Sequence, residues 1–185
     1  MSTNDKVQSI LKLFAIRAVI LLIGWMIAYH GFIKPDGRAN ERLTTKVVQG
    51  TKVGLTLLGY DTSHGWKDED SGESARYIYI DGQPVVLVAD PCNGLELMAL
   101  FIGFLLCFPG PWKYKLIIIP IGTVVVFLIN VIREIILALN YKYFQETFDF
   151  NHKYTYVFFV YLTIFLMWRY WLNRYSSIGK KVSHA

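Results

Sequence analysis

Asp90-Pro91-Cys92-Asn93-Gly94, followed by the apolar run Leu95 to Phe108, is the stretch on which the reading of this chain turns. A polar segment ends here and an apolar one opens. Asp90 is a good N-cap and Pro91 a good first helical residue, so a helix is expected to start at about Cys92 and enter a membrane. In its first turn the unpaired backbone N–H groups and the helix dipole favour an anion. That predicts a lowered thiol pKa and an accessible thiolate at Cys92. The plainer reading of a cysteine in such a run is a small buried hydrophobe.

Three further apolar runs flank this one: Leu13 to Ile33, Leu116 to Leu139 and Tyr156 to Trp171. Runs of about 18 residues with few charges read as membrane spans. The 185-residue chain is 54% hydrophobic and 16% aromatic. The fold expected is therefore an all-α polytopic membrane protein, a single membrane domain over residues 1–185. It has about four transmembrane helices, near 13–33, 92–108, 116–139 and 156–171. The first run is too long for a signal-peptide core and no small-x-small cleavage site follows it, so it reads as a retained span. Lysines and arginines flank the runs, so topology explains the net charge of +5 better than nucleic-acid binding does. The positive-inside rule puts the N-terminus, the Lys113/Lys115 loop and the tail with Arg174, Lys180 and Lys181 in the cytoplasm.

Residues 34–90 then form a small extracytoplasmic helix-plus-hairpin segment. Leu43, Val47, Val48, Leu55 and Leu58 fall at helical spacing, which suggests a surface helix lying on the membrane. Asp61 to Glu73 is polar and Gly-rich and reads as an exposed loop. The β-prone runs Arg76–Ile80 and Val85–Val88 flank Asp81-Gly82, a strong hairpin signal, and Pro84 marks one side as an edge.

In this topology three chemically distinct residues share one membrane face: Cys92 opening the second span, Arg133 about two turns below the end of the third, and His152 in the loop that follows. Arg133 is the least easily dismissed, because an ionisable residue inside a span is costly. Its plain reading is a structural pair with Glu96 or Glu134, or snorkelling to the surface. Asn130 lies i,i+3 from Arg133 and is placed to orient the guanidinium. Glu96 is i+4 from Cys92 and can reach the same pocket. His152 alone would be an ordinary solvated histidine. Acting together, the three suit acyl transfer. A Cys92 thiolate attacks a peptide carbonyl, His152 serves as acid and base, and Arg133 stabilises negative charge. The N–H groups around Asn93 and Gly94 complete an oxyanion hole. Two cysteines exclude a disulfide scaffold, and the four scattered histidines make a metal site unlikely; no metal and no cofactor is expected.

With Cys92-Asn93-Gly94 opening a span, Asn130-Val131-Ile132-Arg133 late in the next and His152 beyond it, the chain resembles the exosortase/archaeosortase family of membrane cysteine transpeptidases. The short length and single N-terminal span look most like the compact exosortase F type. The resemblance implies a nucleophile at Cys92, a family arginine at Arg133 and an acid/base at His152. It also implies a bacterial inner-membrane location with the site on the outer face. The implied substrates are exported proteins carrying a C-terminal motif, a hydrophobic span and a basic tail. Cleavage proceeds by hydrolysis or by transfer to an amine or lipid acceptor. Two rivals remain: a non-enzymatic scaffold or assembly factor, which predicts a tolerated Cys92→Ser, and a small anion transporter built on Arg133.

Overall fold

The computed structural model describes residues 3–66, 75–108 and 110–175. Residues 67–73 of the expected polar loop, and Lys180 and Lys181 of the basic tail, lie outside them. The chain is mostly helical, with a three-stranded sheet at one end. Helix α1 (Thr3–Ala28) continues through a π-helical turn (Tyr29–Ile33) into the short α2 (Lys34–Asp36). Gly37, in the left-handed region at φ 66°, turns the chain into α3 (Arg38–Leu57). Strands β1 (Thr62–Trp66), β2 (Arg76–Ile80) and β3 (Gln83–Val88) lead to a 3₁₀ turn (Asp90–Cys92) and α4 (Leu95–Cys107). Helix α5 (Trp112–Tyr143), the short α6 (Gln145–Phe150), a π-helical turn (Asn151–Thr155) and α7 (Tyr156–Tyr175) complete the described chain.

Among the described residues, three helices are long and apolar enough to cross a membrane: Lys12–Asp36, Trp112–Tyr143 and Gln145–Tyr175. The expected second span is instead a 13-residue helix, Leu95–Cys107, about 20 Å long at 1.5 Å per residue. That falls short of a hydrocarbon core of about 30 Å. The shortening has a local cause. Asp90 and Pro91 do start a turn, but it is one 3₁₀ turn. Gly94 then adopts φ +84°, which an α-helix cannot continue through, so α4 begins at Leu95 and Cys92 precedes it. At the other end, cations satisfy the carbonyls that a helix terminus leaves free. Arg17 Nη1 donates to Cys107 O at 3.3 Å, and the buried Lys115 Nζ to Phe108 O at 2.7 Å.

The amphipathic helix expected over 40–58 is present as α3, but its apolar stripe faces the protein, not a membrane. Val47, Val48 and Leu55 pack with Ile78, Val86 and Val88 of the sheet and with Val131, Leu137 and Ala138 of α5. Close approach of α3 to α5 needs glycine: a Cβ on Gly54 would lie 2.3 Å from Ile135 Cδ1. A second core, farther from the sheet, joins Met98, Phe101 and Leu105 of α4 to Val126 of α5 and to Val160, Ile164 and Trp171 of α7. The outward side chains of α1, such as Ile20, Leu22 and Ile27, are exposed, as expected of a lipid-facing helix.

The hairpin forms as expected. Asp81 (φ 53°) and Gly82 (φ 77°) both take positive φ, the requirement of a type I′ turn. Ile78 pairs with Val86 and Tyr79 with Pro84, leaving Val85 as a bulge. The sheet order is β1-β2-β3, all antiparallel, so β3 is an edge strand that runs on towards Cys92. The expected loop after Asp61 is in part strand β1, which pairs with β2 from Thr62↔Ile80 to Trp66↔Arg76.

Two expectations about the last third also change. α5 runs ten residues beyond Arg133 to Tyr143, about 15 Å, so this arginine lies about three turns, not two, from the end of the helix. The loop expected over 140–155 is helical. Asn140 Nδ2 donates to Thr147 Oγ1 at 3.2 Å, Thr147 Oγ1 donates to Phe144 O at 3.0 Å, and Tyr141 meets Phe148 edge-to-face. These contacts turn the chain tightly at Phe144 and let α6 start at once.

Candidate active site

The 3₁₀ turn that carries Cys92 is held from three sides. Its own Cys92 N–H donates to Ala89 O at 2.8 Å. From α5, Asn130 Nδ2 donates to Cys92 O at 2.9 Å. From α3, the fully buried Asn93 side chain is gripped: its Nδ2 donates to Asn40 Oδ1 at 3.2 Å and Thr44 Oγ1 at 3.3 Å. Its Oδ1 accepts the Leu95 N–H at 2.9 Å, which fixes the orientation of the amide and links the turn to the start of α4. Gly94 is required for its φ and for space, because a Cβ there would lie 3.2 Å from Asn130 Cγ.

Arg133 is the hub. Its Nη1 donates to Asn130 Oδ1 at 3.4 Å, a long bond that agrees with the i,i+3 reading. The choice between Glu96 and Glu134 as ion partner falls on Glu134, at 3.7 Å; both side chains are nearly buried, 10% and 1% exposed. Arg133 Nε and Glu134 Oε1 are buried without a hydrogen-bond partner. The Arg133 charge acts on both the Cys92 thiol and His152. His152 lies in the π-helical turn ahead of α7, its ring stacked parallel on Phe148 at 5.7 Å. No hydrogen bond joins His152 to Cys92 among the described residues. The two share Arg133 as a neighbour instead.

Cys92 lies in the turn ahead of α4, outside the membrane-spanning helices, and is half-buried. The expectation of a lowered thiol pKa is overturned. Burial pushes the thiol up, and the Glu134 carboxylate adds to that push. The Arg133 charge, a hydrogen bond from the Ala89 backbone and one from Arg133 pull it down without prevailing. A thiol in this setting needs a base, or a conformational closure, to become a nucleophile. The oxyanion donors differ in availability. The Asn93 N–H is committed to Asp90 O at 3.3 Å, whereas the Gly94 N–H makes no hydrogen bond among the described residues.

A cavity of about 580 Å³ adjoins this turn, lined by Pro91, Gly94, Glu96 and Arg133 at one end and by apolar residues of α1, α4 and α7 along its length. Glu96 thus reaches the same pocket as Arg133, as its position suggests. Asn40 and Thr44, which anchor Asn93, were not singled out by the sequence reading. Their signal was there: with Val47, Val48, Thr51 and Leu55 they occupy the buried stripe of α3, where an asparagine needs a reason to be. No group of His, Cys, Asp and Glu able to hold a metal ion occurs among the described residues.

The fold and this cluster define a multi-pass membrane protein with a cysteine, an arginine and a histidine gathered at the sheet-bearing end of its helices. A family model of transmembrane exosortases matches residues 8–169. The chain belongs to that family, whose members have a general role as membrane transpeptidases. No curated protein and no solved structure matches it.

Proposed function

We propose that this chain is a membrane cysteine transpeptidase, most like the compact exosortase F type, that cleaves C-terminal sorting signals of exported proteins. It sits in a bacterial inner membrane with both termini cytoplasmic and the site on the outer face. Cys92 attacks the scissile carbonyl, releases the C-terminal tail and forms a thioester that water or an amine resolves. Arg133 is placed to stabilise the thiolate and the developing oxyanion, aided by the Gly94 N–H. His152 moves the proton, and Asn130 and Asn93 position the turn.

One observation carries this reading: Arg133, nearly buried, bonds Asn130, which in turn holds the Cys92 carbonyl, and the same guanidinium charge acts on both the Cys92 thiol and His152. A scaffold has no use for a thiol held beside a buried guanidinium. Anion transport would want polar residues spread along several spans, whereas here they gather at one end. The test is Cys92→Ala in the native cell, with the C-termini of envelope and secreted proteins mapped by mass spectrometry. Intact hydrophobic tails should appear only in the variant, at normal enzyme level. Identical C-termini in both strains, with the candidate substrates detected, would favour the scaffold reading.

A further inference from the structure

Strand β3 has one open side, and the register fixes which of its backbone groups face that way. β2 lies between β1 and β3, and successive residues of such a strand turn their N–H and C=O groups to opposite neighbours. Asp81 N–H donates to Asp61 O at 2.9 Å. Asp81, Tyr79 and Tyr77 therefore face β1, and Ile80, Ile78 and Arg76 face β3. Their partners Gln83, Val86 and Val88 point back into the sheet, while Pro84 and Leu87, opposite Tyr79 and Tyr77, turn their groups outward. Pro84 has no N–H, which blunts the half of the edge near the hairpin turn. The other half carries no such guard. Ala89 stays extended at φ −106° and ψ 174°, so its N–H lies on the open side as well. The Leu87 N–H, the Leu87 C=O and the Ala89 N–H make no hydrogen bond beyond the sheet among the described residues. The row stops there, because Ala89 O accepts the Cys92 N–H at 2.8 Å.

The place where this edge leads selects its occupant. β3 ends at Val88, and Cys92 follows four residues on. Val85, Val86 and Val88 pack into a core with α5, and Phe148, on which the His152 ring stacks, packs against the same core. An extended chain laid along the edge thus arrives at the turn that holds the thiol. Its direction is also set. A substrate held in the membrane by a span beyond the scissile bond must keep the residues before that bond on the sheet side of Cys92. Such a chain runs the same way as β3, so it pairs in parallel. A parallel partner bonds to alternate residues. Leu87 N–H donates to one substrate carbonyl, Leu87 C=O accepts the N–H two residues on, and Ala89 N–H donates to the carbonyl of that same residue. The contact covers about 7 Å of chain at about 3.3 Å per residue.

We propose that the Leu87–Ala89 edge is the docking strand for the substrate's recognition segment, which adds to the sheet parallel to β3 through the residues just before the scissile bond. The inference rests on the acyl-transfer reading above and gives the means by which that site takes its peptide. These bonds read an extended main chain with a free N–H, and leave the choice of side chains to the groups around Cys92.

The test follows tail removal from substrates in the native cell by C-terminal mass spectrometry over a pulse-chase, using the full-length protein. Leu87→Pro deletes the outward N–H at a position that, like Pro84, gives no bond to β2. It should slow tail removal roughly tenfold, the loss of one hydrogen bond with a substrate carbonyl left unpaired. Leu87→Ala keeps both backbone groups and should slow it by only roughly threefold. In a Cys92→Ala background, the photocrosslinker p-benzoylphenylalanine at position 87 should capture the same proteins that keep their tails, at residues N-terminal to their cleavage position. The same probe in place of Ser63, on the far strand β1, should not. Normal tail removal in a stably produced Leu87→Pro, an equal defect in Leu87→Ala, crosslinks C-terminal to the cleavage position, or equal capture at Ser63 overturns the proposal. If Leu87→Pro does not accumulate, the crosslinks decide. Tails cut normally in Cys92→Ala sink the acyl-transfer reading and this inference with it; tails cut normally in Leu87→Pro alone sink only the docking strand.

Discussion

Replacing Arg133 with Gln should raise the thiol pKa of Cys92, and replacing Glu134 with Gln should lower it. The signs follow from the neighbours. Burial and the Glu134 carboxylate hold the thiol up, while Arg133 acts against both by charge and by hydrogen bond. A unit charge about 6 Å away is worth about 0.7 kcal/mol in water and about 2.8 kcal/mol at an effective dielectric of about 20. At 1.36 kcal/mol per pKa unit, that is a shift of about 0.5 to 2 units. At neutral pH, loss of Arg133 then slows thiolate chemistry by about 3- to 100-fold. The assay is the rate of Cys92 alkylation by iodoacetamide against pH in detergent, in a Cys107→Ala background so that a single thiol reacts. The inflection should move up for Arg133→Gln, move down for Glu134→Gln, and stay near its starting point for Arg133→Lys, which keeps the charge. Shifts of the same sign in the Arg133→Gln and Glu134→Gln variants, or no shift in either, would refute the account of Arg133 as the charge that opposes Glu134 at the thiol.

Asn93→Ala removes three hydrogen bonds and leaves Asn40 and Thr44 facing a void. It should cost about 2–4 kcal/mol in denaturant unfolding and make Cys92 alkylation faster as the turn loosens. Gly122→Ala would set a Cβ 2.2 Å from the Phe101 ring, so it should lower the thermal midpoint in detergent by the equivalent of about 1–3 kcal/mol while the secondary structure seen by circular dichroism persists. Lys115→Met removes the donor to Phe108 O and exposes the end of α4. Proteolysis after that helix should speed up by roughly tenfold or more, the consequence of losing one charged hydrogen bond.

The long apolar runs were legible because hydropathy alone demands a span, and the hairpin because Asp81-Gly82 has one favoured use between β-prone runs. The Asn130–Arg133 contact was legible because helical spacing dictates it. What was not legible depends on partners distant in the chain. Thr62-Ser63-His64-Gly65-Trp66 has no apolar alternation and is a strand only because β2 pairs with it. The stripe on α3 said that something covers it, but not that the cover is the sheet and α5. The helix signals at Asp90 and Pro91 were genuine, yet Gly94 cut the helix they announced. The Cys92 pKa was misread because a helix terminus is visible in sequence, whereas burial against Glu134 is not.

The brevity of α4 has a consequence for the bilayer. Its 13 residues make it about 10 Å shorter than a typical hydrocarbon core. Arg17 and Lys115 hold polar groups at its recessed end. Hydrophobic mismatch costs fractions of a kcal/mol per Å, so a flat membrane around this helix would be strained by a few kcal/mol. If α4 crosses the bilayer, headgroups and water must dimple inward over the two cations, and the stability of the protein should track acyl-chain length: greatest in thin bilayers, declining as the hydrocarbon thickens and the dimple must deepen.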